Sequence, residues 1–233
     1  WRYRHFIFSS IRNDFKGRFA RSRLGGTWMI LHPLTQVLMY ALVLSAVLSA
    51  KLPGIDNRFA YAIYLTAGIL SWSLFSEIIT RSLTLFIDNG NLMKKVVFPR
   101  ICLPFIVTGS ALVNHILLLI AILVIFAMLG HNPAWPALLL PVFISITVAL
   151  GLSIGLIFGV LNVFMRDIGQ VVPVLLQFGF WFTPIVYTAN IIPEPYQSWL
   201  AVNPMYHISG AYQDVLVFAR VPDWLQLMVV FLF

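Results

Sequence analysis

Few side chains in this sequence could carry chemistry, and they lie far apart. Glu77 lies near one end of an apolar stretch, with Arg81 one helical turn later. A carboxylate inside a span marks a functional site by default, although an interfacial Glu–Arg ion pair on one helix is the simpler interpretation. His32 and His115 could titrate near neutral pH, yet each stands alone. No apolar stretch therefore carries the series of carboxylates and histidines that a proton-coupled carrier needs.

Sequence motifs for catalysis and cofactor binding are absent. There is no HExxH, no G-x-S-x-G, no paired-aspartate cation motif and no G-x-x-x-x-G-K-[ST] phosphate loop. The single cysteine, Cys102, excludes an internal disulfide, and no His/Cys cluster has zinc spacing. The sequence predicts no catalytic, cofactor-binding or metal-binding residue here. If the chain works with ATP, another chain must hold the ATP.

The composition indicates a membrane protein. Hydrophobic residues make up 60% of the 233 residues and charged residues only 10%, whereas soluble domains carry about 25% charged residues. Several apolar blocks reach the roughly 20 residues that a helix needs to cross a bilayer. The net charge of +7 comes from basic residues beside these blocks, where they orient spans and meet anionic headgroups. Nucleic-acid binding is therefore not expected.

The order of the segments predicts an all-α, polytopic fold within one transmembrane domain, residues 1–233. An amphipathic interface helix comes first and places Phe8, Ile11, Phe15 and Phe19 on one face, in the headgroup plane. The missing initiator methionine and the short final run lead us to expect trimmed ends and a truncated sixth span. The predicted segments are the interface helix 1–24, spans 28–50, 59–79, 101–129, 137–164 and 171–189, a re-entrant or external region 190–224, and the start of a sixth span at 225–233.

The basic residues predict the orientation. With the N-terminus in the cytoplasm, every lysine and arginine except Lys51, Arg58 and Arg220 falls on the inner side. This is the bias of the positive-inside rule. The polar stretch Thr80–Arg100 is then the largest cytoplasmic connection between spans. It is either a docking surface for a soluble partner or a plain connector with charges that stop transfer.

The region after the fourth span has an unusual composition. Prolines interrupt the fifth span at Pro173 and Pro184, and irregular backbone at membrane depth requires burial in protein or a cavity. We expect short re-entrant helices after this span, and an external loop resting on the surface is the alternative. Aromatic residues concentrate here and either line a passage or form an interfacial belt. The passage candidates are Phe178, Trp181, Phe182 and Tyr187.

Glycines recur every four residues in the fourth span, at Gly151, Gly155 and Gly159. Three small residues on one helical face allow a neighbouring helix to approach closely. Packing inside one subunit is the expected role, in preference to a dimer contact.

Three stretches carry a family resemblance. They are IRNDFKGRFARSRLGGTWMILHPL at 11–34, NLMKKVVFPRICLP at 91–104, and MRDIGQVVPVLLQFGFWFTPIVY at 165–187, followed by Asn203-Pro204. Together they resemble the permease subunit of ABC-2 type polysaccharide exporters, which move lipid-linked O-antigen, capsule or teichoic acid chains. The order and spacing of these stretches extend over nearly the whole chain.

The resemblance implies ATP-driven export of a lipid-linked polysaccharide across the cytoplasmic (inner) membrane by a multi-pass protein with a cytoplasmic N-terminus. It implies six spans, a homodimer in membrane lipid, and two copies of a partner ABC ATPase that binds the ATP and magnesium. A coupling helix in the 88–100 loop would rest on that ATPase. The coupling residues so implied are Asp88, Asn91, Lys94, Lys95, Phe98, Pro99 and Arg100.

Two alternatives to polysaccharide export remain at this point. One is an ABC-2 exporter of a small lipid or drug. The other is an intramembrane enzyme acting on polyprenyl-linked sugars. The enzyme would need acidic or histidine residues clustered at one membrane face, whereas Glu77, Asp88 and Asp167 are scattered.

Overall fold

Helices make up nearly all the regular structure in the part of the chain that the computed structural model describes. That part is residues 4–19, 25, 27–28, 31, 34–35, 38–39, 60–95, 99–193, 199–228 and 230. No strand occurs within these ranges, so the all-α prediction is confirmed. Most of the predicted first span at 28–50 lies outside the described residues, as do four residues of the predicted 225–233 segment.

The described residues form eight α-helices. They are α1 (Arg4–Phe19), α2 (Ala60–Asp88), α3 (Gly90–Lys95), α4 (Cys102–Met128), α5 (Leu140–Phe164), α6 (Ile168–Phe182), α7 (Pro204–Gln213) and α8 (Trp224–Met228). Short 3-10 helices occupy Trp135–Leu139 and Ala189–Ile191, and a π-helical segment, Asp214–Phe218, continues α7.

Among the described residues, three helices are long and apolar enough to cross a membrane: α2, α4, and α5 with its preceding 3-10 turn. The 29 residues of α2 correspond to about 44 Å at 1.5 Å per residue. This length exceeds the roughly 30 Å of a hydrocarbon core. The chain is therefore a membrane protein. By contrast, the 15 residues of α6 reach only about 22 Å.

Two helix ends differ from the ends of the predicted spans. α2 continues through Thr80–Asp88, which the polarity of the sequence had assigned to a loop. The helix persists because Leu83 and Leu85 still face the core, while Thr80 and Thr84 point outward. The fifth helix ends at Phe182 and not at residue 189. Pro184 disfavours the α conformation at the residue before it, and Thr183 is extended, with φ −98° and ψ 129°.

α2 is the central helix of the fold. In the most apolar 18-residue stretch of α2, 72% is buried inside the protein, against 33% for the same length of α4 and 28% for that of α5. It contacts α4, α5, α6 and α7, and its core side chains include Leu65, Leu70 and Ile78. The outer faces of α4 and α5 remain apolar and exposed, as lipid-facing helix surfaces are.

α1 packs on α4 through a face that shares only Ile11 with the aromatic face predicted to enter the membrane interface. The residues turned toward the protein are Ile7, Ser10, Ile11 and Asp14, spaced three and four apart. Ile11 lies against Gly109 of α4, where a Cβ would collide with its side chain. Phe8 is 70% exposed on another side of the helix, and the side chains of Phe15 and Phe19 lie outside the description. α1 thus turns a mixed polar and apolar face to the spans.

Candidate functional site

The predicted passage aromatics lie mainly on one face of α6. Phe178, Trp181 and Phe182 are 61%, 51% and 68% exposed, and their spacing of three and four places them on one side of the helix. Phe180 points the other way and is buried against Trp72, with ring centroids 5.8 Å apart. α6 therefore turns one aromatic side chain into the protomer and presents three outward.

The segment after α6 is irregular, and tyrosines of α2 donate to its carbonyl groups. Tyr64 Oη donates to the carbonyl oxygens of Pro184 (3.2 Å) and Tyr187 (3.3 Å). Tyr61 Oη donates to the carbonyl oxygen of Val186. Buried carbonyls without partners are costly where no water is present. These bonds therefore allow a non-helical segment to lie beside a span. Tyr187 is itself half-buried, and its hydroxyl donates to the Trp181 carbonyl oxygen at 2.9 Å.

α7 packs into the middle of α2. Ser209 of α7 and Ser71 of α2 share a buried hydrogen bond of 2.9 Å. Ser71 lies 11 residues after the start of α2, a distance of about 16 Å along the helix axis. Ile208 and Tyr212 are also fully buried. α7 thus behaves as a core helix and not as a surface loop.

Asn203 fixes the start of α7. Its side-chain oxygen accepts from the Met205 backbone N–H at 3.0 Å, which caps the helix. Its Nδ2 donates to Thr183 Oγ1 at 3.0 Å, directly after α6 ends. One side chain therefore joins the end of α6 to the start of α7, and the Asn-Pro pair in the sequence has a defined structural role.

The three glycines of α5 face α2. A Cβ at Gly155 would lie 2.8 Å from the Cβ of Ser82, and a Cβ at Gly159 would collide with the Ser82 carbonyl oxygen. At Gly151 the nearest atom would be the Cβ of Ile78, at an ordinary contact distance of 3.4 Å. The backbones of α2 and α5 approach most closely at Gly159. The Asn162 side chain then donates to the Leu83 carbonyl oxygen at 2.9 Å.

The predicted Glu77–Arg81 pair is present and belongs to a larger polar group. Arg81 Nη1 lies 3.7 Å from Glu77 Oε1 and donates to the Val107 carbonyl oxygen of α4 at 3.3 Å. Arg81 Nη2 donates to the carboxylate of Asp14 on α1. Asn114 of α4 donates to Glu77 Oε1 at 2.6 Å. The group therefore joins three helices.

The predicted coupling segment includes a short helix. Asp88 ends α2, and Asn89 donates from its side chain to the Leu85 carbonyl oxygen at 2.9 Å. α3 follows with Asn91, Lys94 and Lys95. Asp88, Lys94, Pro99 and Arg100 are exposed. Phe98 lies outside the described residues, and the side chains of Asn91 and Lys95 are not described.

Comparison with known proteins identifies the class. The model of the family described as ABC-2 type transporter matches residues 5–217. The chain belongs to the ABC-2 type transporter family. Family membership confirms the prediction that this chain is a transporter subunit. It argues against the alternative of an intramembrane enzyme. In the described residues of this ABC-2 transporter chain, no group of three His, Cys, Asp or Glu side chains could hold a metal ion.

Several relatives are similar to this ABC-2 transporter chain over most of their length. The O-antigen export system permease protein RfbA of Myxococcus xanthus is 30% identical over 225 residues, covering 96% of this chain and 84% of the relative. RfbA of Klebsiella pneumoniae is 29% identical over 211 residues, covering 88% and 77%. The polysialic acid transport protein KpsM of Escherichia coli is 26% identical over 199 residues, covering 84% and 74%.

Sequence reasoning missed the residues that hold the ABC-2 transporter chain together across its length. Tyr61, Tyr64 and Asp14 carry no local pattern that reveals a distant partner. Tyr64 and Pro184 are 120 residues apart, and Arg81 and Asp14 are 67 apart. The available signal was chemical, because a polar side chain in or next to a span needs a partner.

Proposed function

We propose that this chain is the membrane-spanning permease subunit of an ATP-driven exporter that moves a lipid-linked polysaccharide across the cytoplasmic (inner) membrane. The observation that carries the proposal is the similarity, over most of both chains, to two O-antigen export permeases and a polysialic acid transport protein. The charge bias of the sequence supports a cytoplasmic N-terminus. The polymer would be of the O-antigen, capsular or teichoic acid type.

The exporter would consist of two copies of this chain and two copies of an ABC ATPase. The sequence has no phosphate loop, so the ATPase would bind ATP and magnesium. α3 and its flanking residues would contact the ATPase. Asp88 at the end of α2, Lys94 in α3 and Arg100 after α3 are all exposed, which supports this assignment.

The region after α6 would form re-entrant helices at the outer mouth of the passage. Burial of α7 against the middle of α2 supports this over a loop lying on the membrane surface. Hydrogen bonds to the 184–187 carbonyls from Tyr61, Tyr64 and Gln213, whose Nε2 donates to the Pro184 carbonyl oxygen at 3.4 Å, support it as well. They satisfy irregular backbone at membrane depth.

The outward aromatic face of α6 would line the passage. Replacing Trp181 with alanine is expected to lower polymer export about tenfold, because the indole ring would no longer contact the sugar units. Aromatic stacking on nucleic-acid bases, which contributes about 1–3 kcal/mol per base, sets the scale. Export is measured as surface polymer against subunit abundance. Trp135 is the matched control, since it is also an exposed tryptophan, 68% exposed, and lies in the turn before α5. Equal losses from the two substitutions would assign Trp181 to an interfacial aromatic belt.

Deletion of the gene tests the function itself. The cell should lose its surface polysaccharide and accumulate the lipid-linked polymer on the cytoplasmic side, and a plasmid copy should restore export. Unchanged surface polymer would refute the proposal. Loss of a small lipid or drug from the exported material, with surface polymer intact, would favour the small-molecule exporter.

A further inference from the structure

The predicted spans contain no basic side chain. The sequence has no lysine or arginine in any of the five, which are 28–50, 59–79, 101–129, 137–164 and 171–189. Arg81 follows the second span within α2, and its guanidinium is held by Asp14, Glu77 and the Val107 carbonyl oxygen. A passage between these spans would therefore meet no lysine or arginine of a span, whichever of them line it.

The region between α5 and the π-helical segment extends this absence of bases. From Asp167 to Ala219 the sequence has no lysine or arginine. His207 is buried, and its Nε2 shares a 2.8 Å hydrogen bond with the Ala201 carbonyl oxygen. Both copies of the proposed homodimer have this sequence, so a second copy would add no base to the region.

The exposed face of α6 offers uncharged hydrogen-bonding groups instead of ions. No residue of α6 is charged. Gln170, Gln177 and Trp181 are exposed, and at 3.6 residues per turn they lie within about 40° of one another around the helix axis. An amide side chain both donates and accepts hydrogen bonds, and an indole combines a large apolar ring with one N–H donor. Such a face matches sugars whose polar groups are hydroxyls.

A polyanion would meet a barrier in a passage of this composition. Charged groups at membrane depth are costly unless they are paired, and pores that select anions or phosphates carry rings of arginine or lysine. Sugars with hydroxyl groups alone need no counter-charge, so the same passage would admit them. Similarity to known proteins does not decide the charge of the polymer, since one relative is named for polysialic acid, which is acidic.

We propose that the exported polymer consists of uncharged sugars, which contact Gln170, Gln177 and Trp181 as they pass. Chains with a carboxylate or a phosphodiester in each repeat, teichoic acids among them, are rejected by the passage. The inference rests on the proposed function, because it names the substrate class of that same passage. Bases remain on the side that the charge bias assigns to the cytoplasm, where Arg166 is exposed directly before α6.

Two matched polymers measure the selection. One is a lipid-linked chain of neutral hexoses, and the other is the same chain with its primary hydroxyl groups oxidised to carboxylates. Each carries an uncharged fluorophore of its own colour, and both are placed on the ATPase side of liposomes that contain the chain and its ATPase. A membrane-impermeant quencher added to that side reports which polymer has left it. We expect the oxidised polymer to move at about one-tenth of the neutral rate or less, given the cost of unpaired charge at membrane depth.

Substitution of Gln177 tests the contact with α6. Gln177→Arg adds a cation to the exposed face, and Gln177→Glu, the matched control, adds an anion on a side chain of nearly the same shape. We expect Gln177→Arg to raise the ratio of oxidised to neutral movement about threefold, the scale of an exposed ion pair, and Gln177→Glu not to raise it. Gln170→Arg repeats the test at a second position of the same face. Both polymers share the same liposomes, so a general loss of activity cancels in the ratio.

Equal movement of the two polymers by the unmodified protein would overturn the inference and leave the export function intact. A ratio that neither arginine raises would also overturn it, since the sugars would then not pass along this face of α6. Movement of neither polymer in the presence of ATP would overturn the proposed function, and the inference with it.

Discussion

Replacing Lys94 and Arg100 together with glutamate is expected to reduce polymer export at least about tenfold and to release the ATPase from the purified complex. Both side chains are exposed at the segment that would contact the ATPase. Reversal of two charges in a contact places like charges opposite each other or removes ion pairs, and such changes cost several kcal/mol where the contact excludes water. Co-purification of the ATPase with the tagged permease measures the contact, and surface polymer measures the consequence.

Arg220→Glu is the control for this experiment. Arg220 is also exposed but follows the π-helical segment, on the side that the charge bias assigns to the exterior. The substitution changes charge without touching the proposed contact, so export and co-purification should stay close to those of the unmodified protein. If the Lys94/Arg100 variant retains both its ATPase and its export, the coupling assignment is wrong.

Replacing Gly159 with alanine is expected to produce the largest loss of stability among single-methyl changes in α5. The added Cβ would collide with the Ser82 carbonyl oxygen, a backbone atom of the central helix that cannot rotate away. Overpacking of this kind costs about 1–3 kcal/mol. The midpoint of heat-induced loss of the monodisperse peak in gel filtration should fall by several degrees, with scan rate held constant because unfolding of such proteins is often irreversible.

Gly151→Ala makes the same chemical change two turns earlier on the same face. Its Cβ would meet Ile78 at 3.4 Å, an ordinary contact, so its midpoint should stay near that of the unmodified protein. Equal shifts for the two variants would show that the close approach at Gly159 does not limit stability. Gly159→Leu, which adds a bulkier group at the same position, should prevent folding and accumulation in the membrane.

The parts of the fold that depend on local composition were predictable. Uninterrupted apolar runs predicted spans at 101–129 and 137–164, close to α4 at Cys102–Met128 and to the combined helix Trp135–Phe164. Average apolarity did not reveal the last part of α2, which continues as a helix from residue 80 to Asp88. There Leu83 and Leu85 continue the buried face. Polar side chains on the other faces lower the average hydrophobicity, so composition alone suggested a loop.

The parts that depend on distant contacts were not predictable. The sequence contains Asp14, but only the packing of α1 on α4 brings it to Arg81. It contains Tyr61 and Tyr64, but only the end of α6 at Phe182 leaves the carbonyls of Pro184 and Val186 without helical partners and so available to them. The passage candidates chosen from the sequence leave Phe180 out, and helical spacing agrees with that choice, since residues 178, 181 and 182 share a face that 180 does not.

Reconstituted transport tests the central claim most directly. The chain and its ATPase are placed in liposomes with the lipid-linked polymer on the ATPase side, and a membrane-impermeant glycosidase added to that side reports the polymer that remains there. Our account predicts that ATP makes the polymer resistant to the enzyme only when both proteins are present. Polymer movement by the chain without the ATPase, or steady ATP hydrolysis by the assembled complex without any polymer movement, would contradict it.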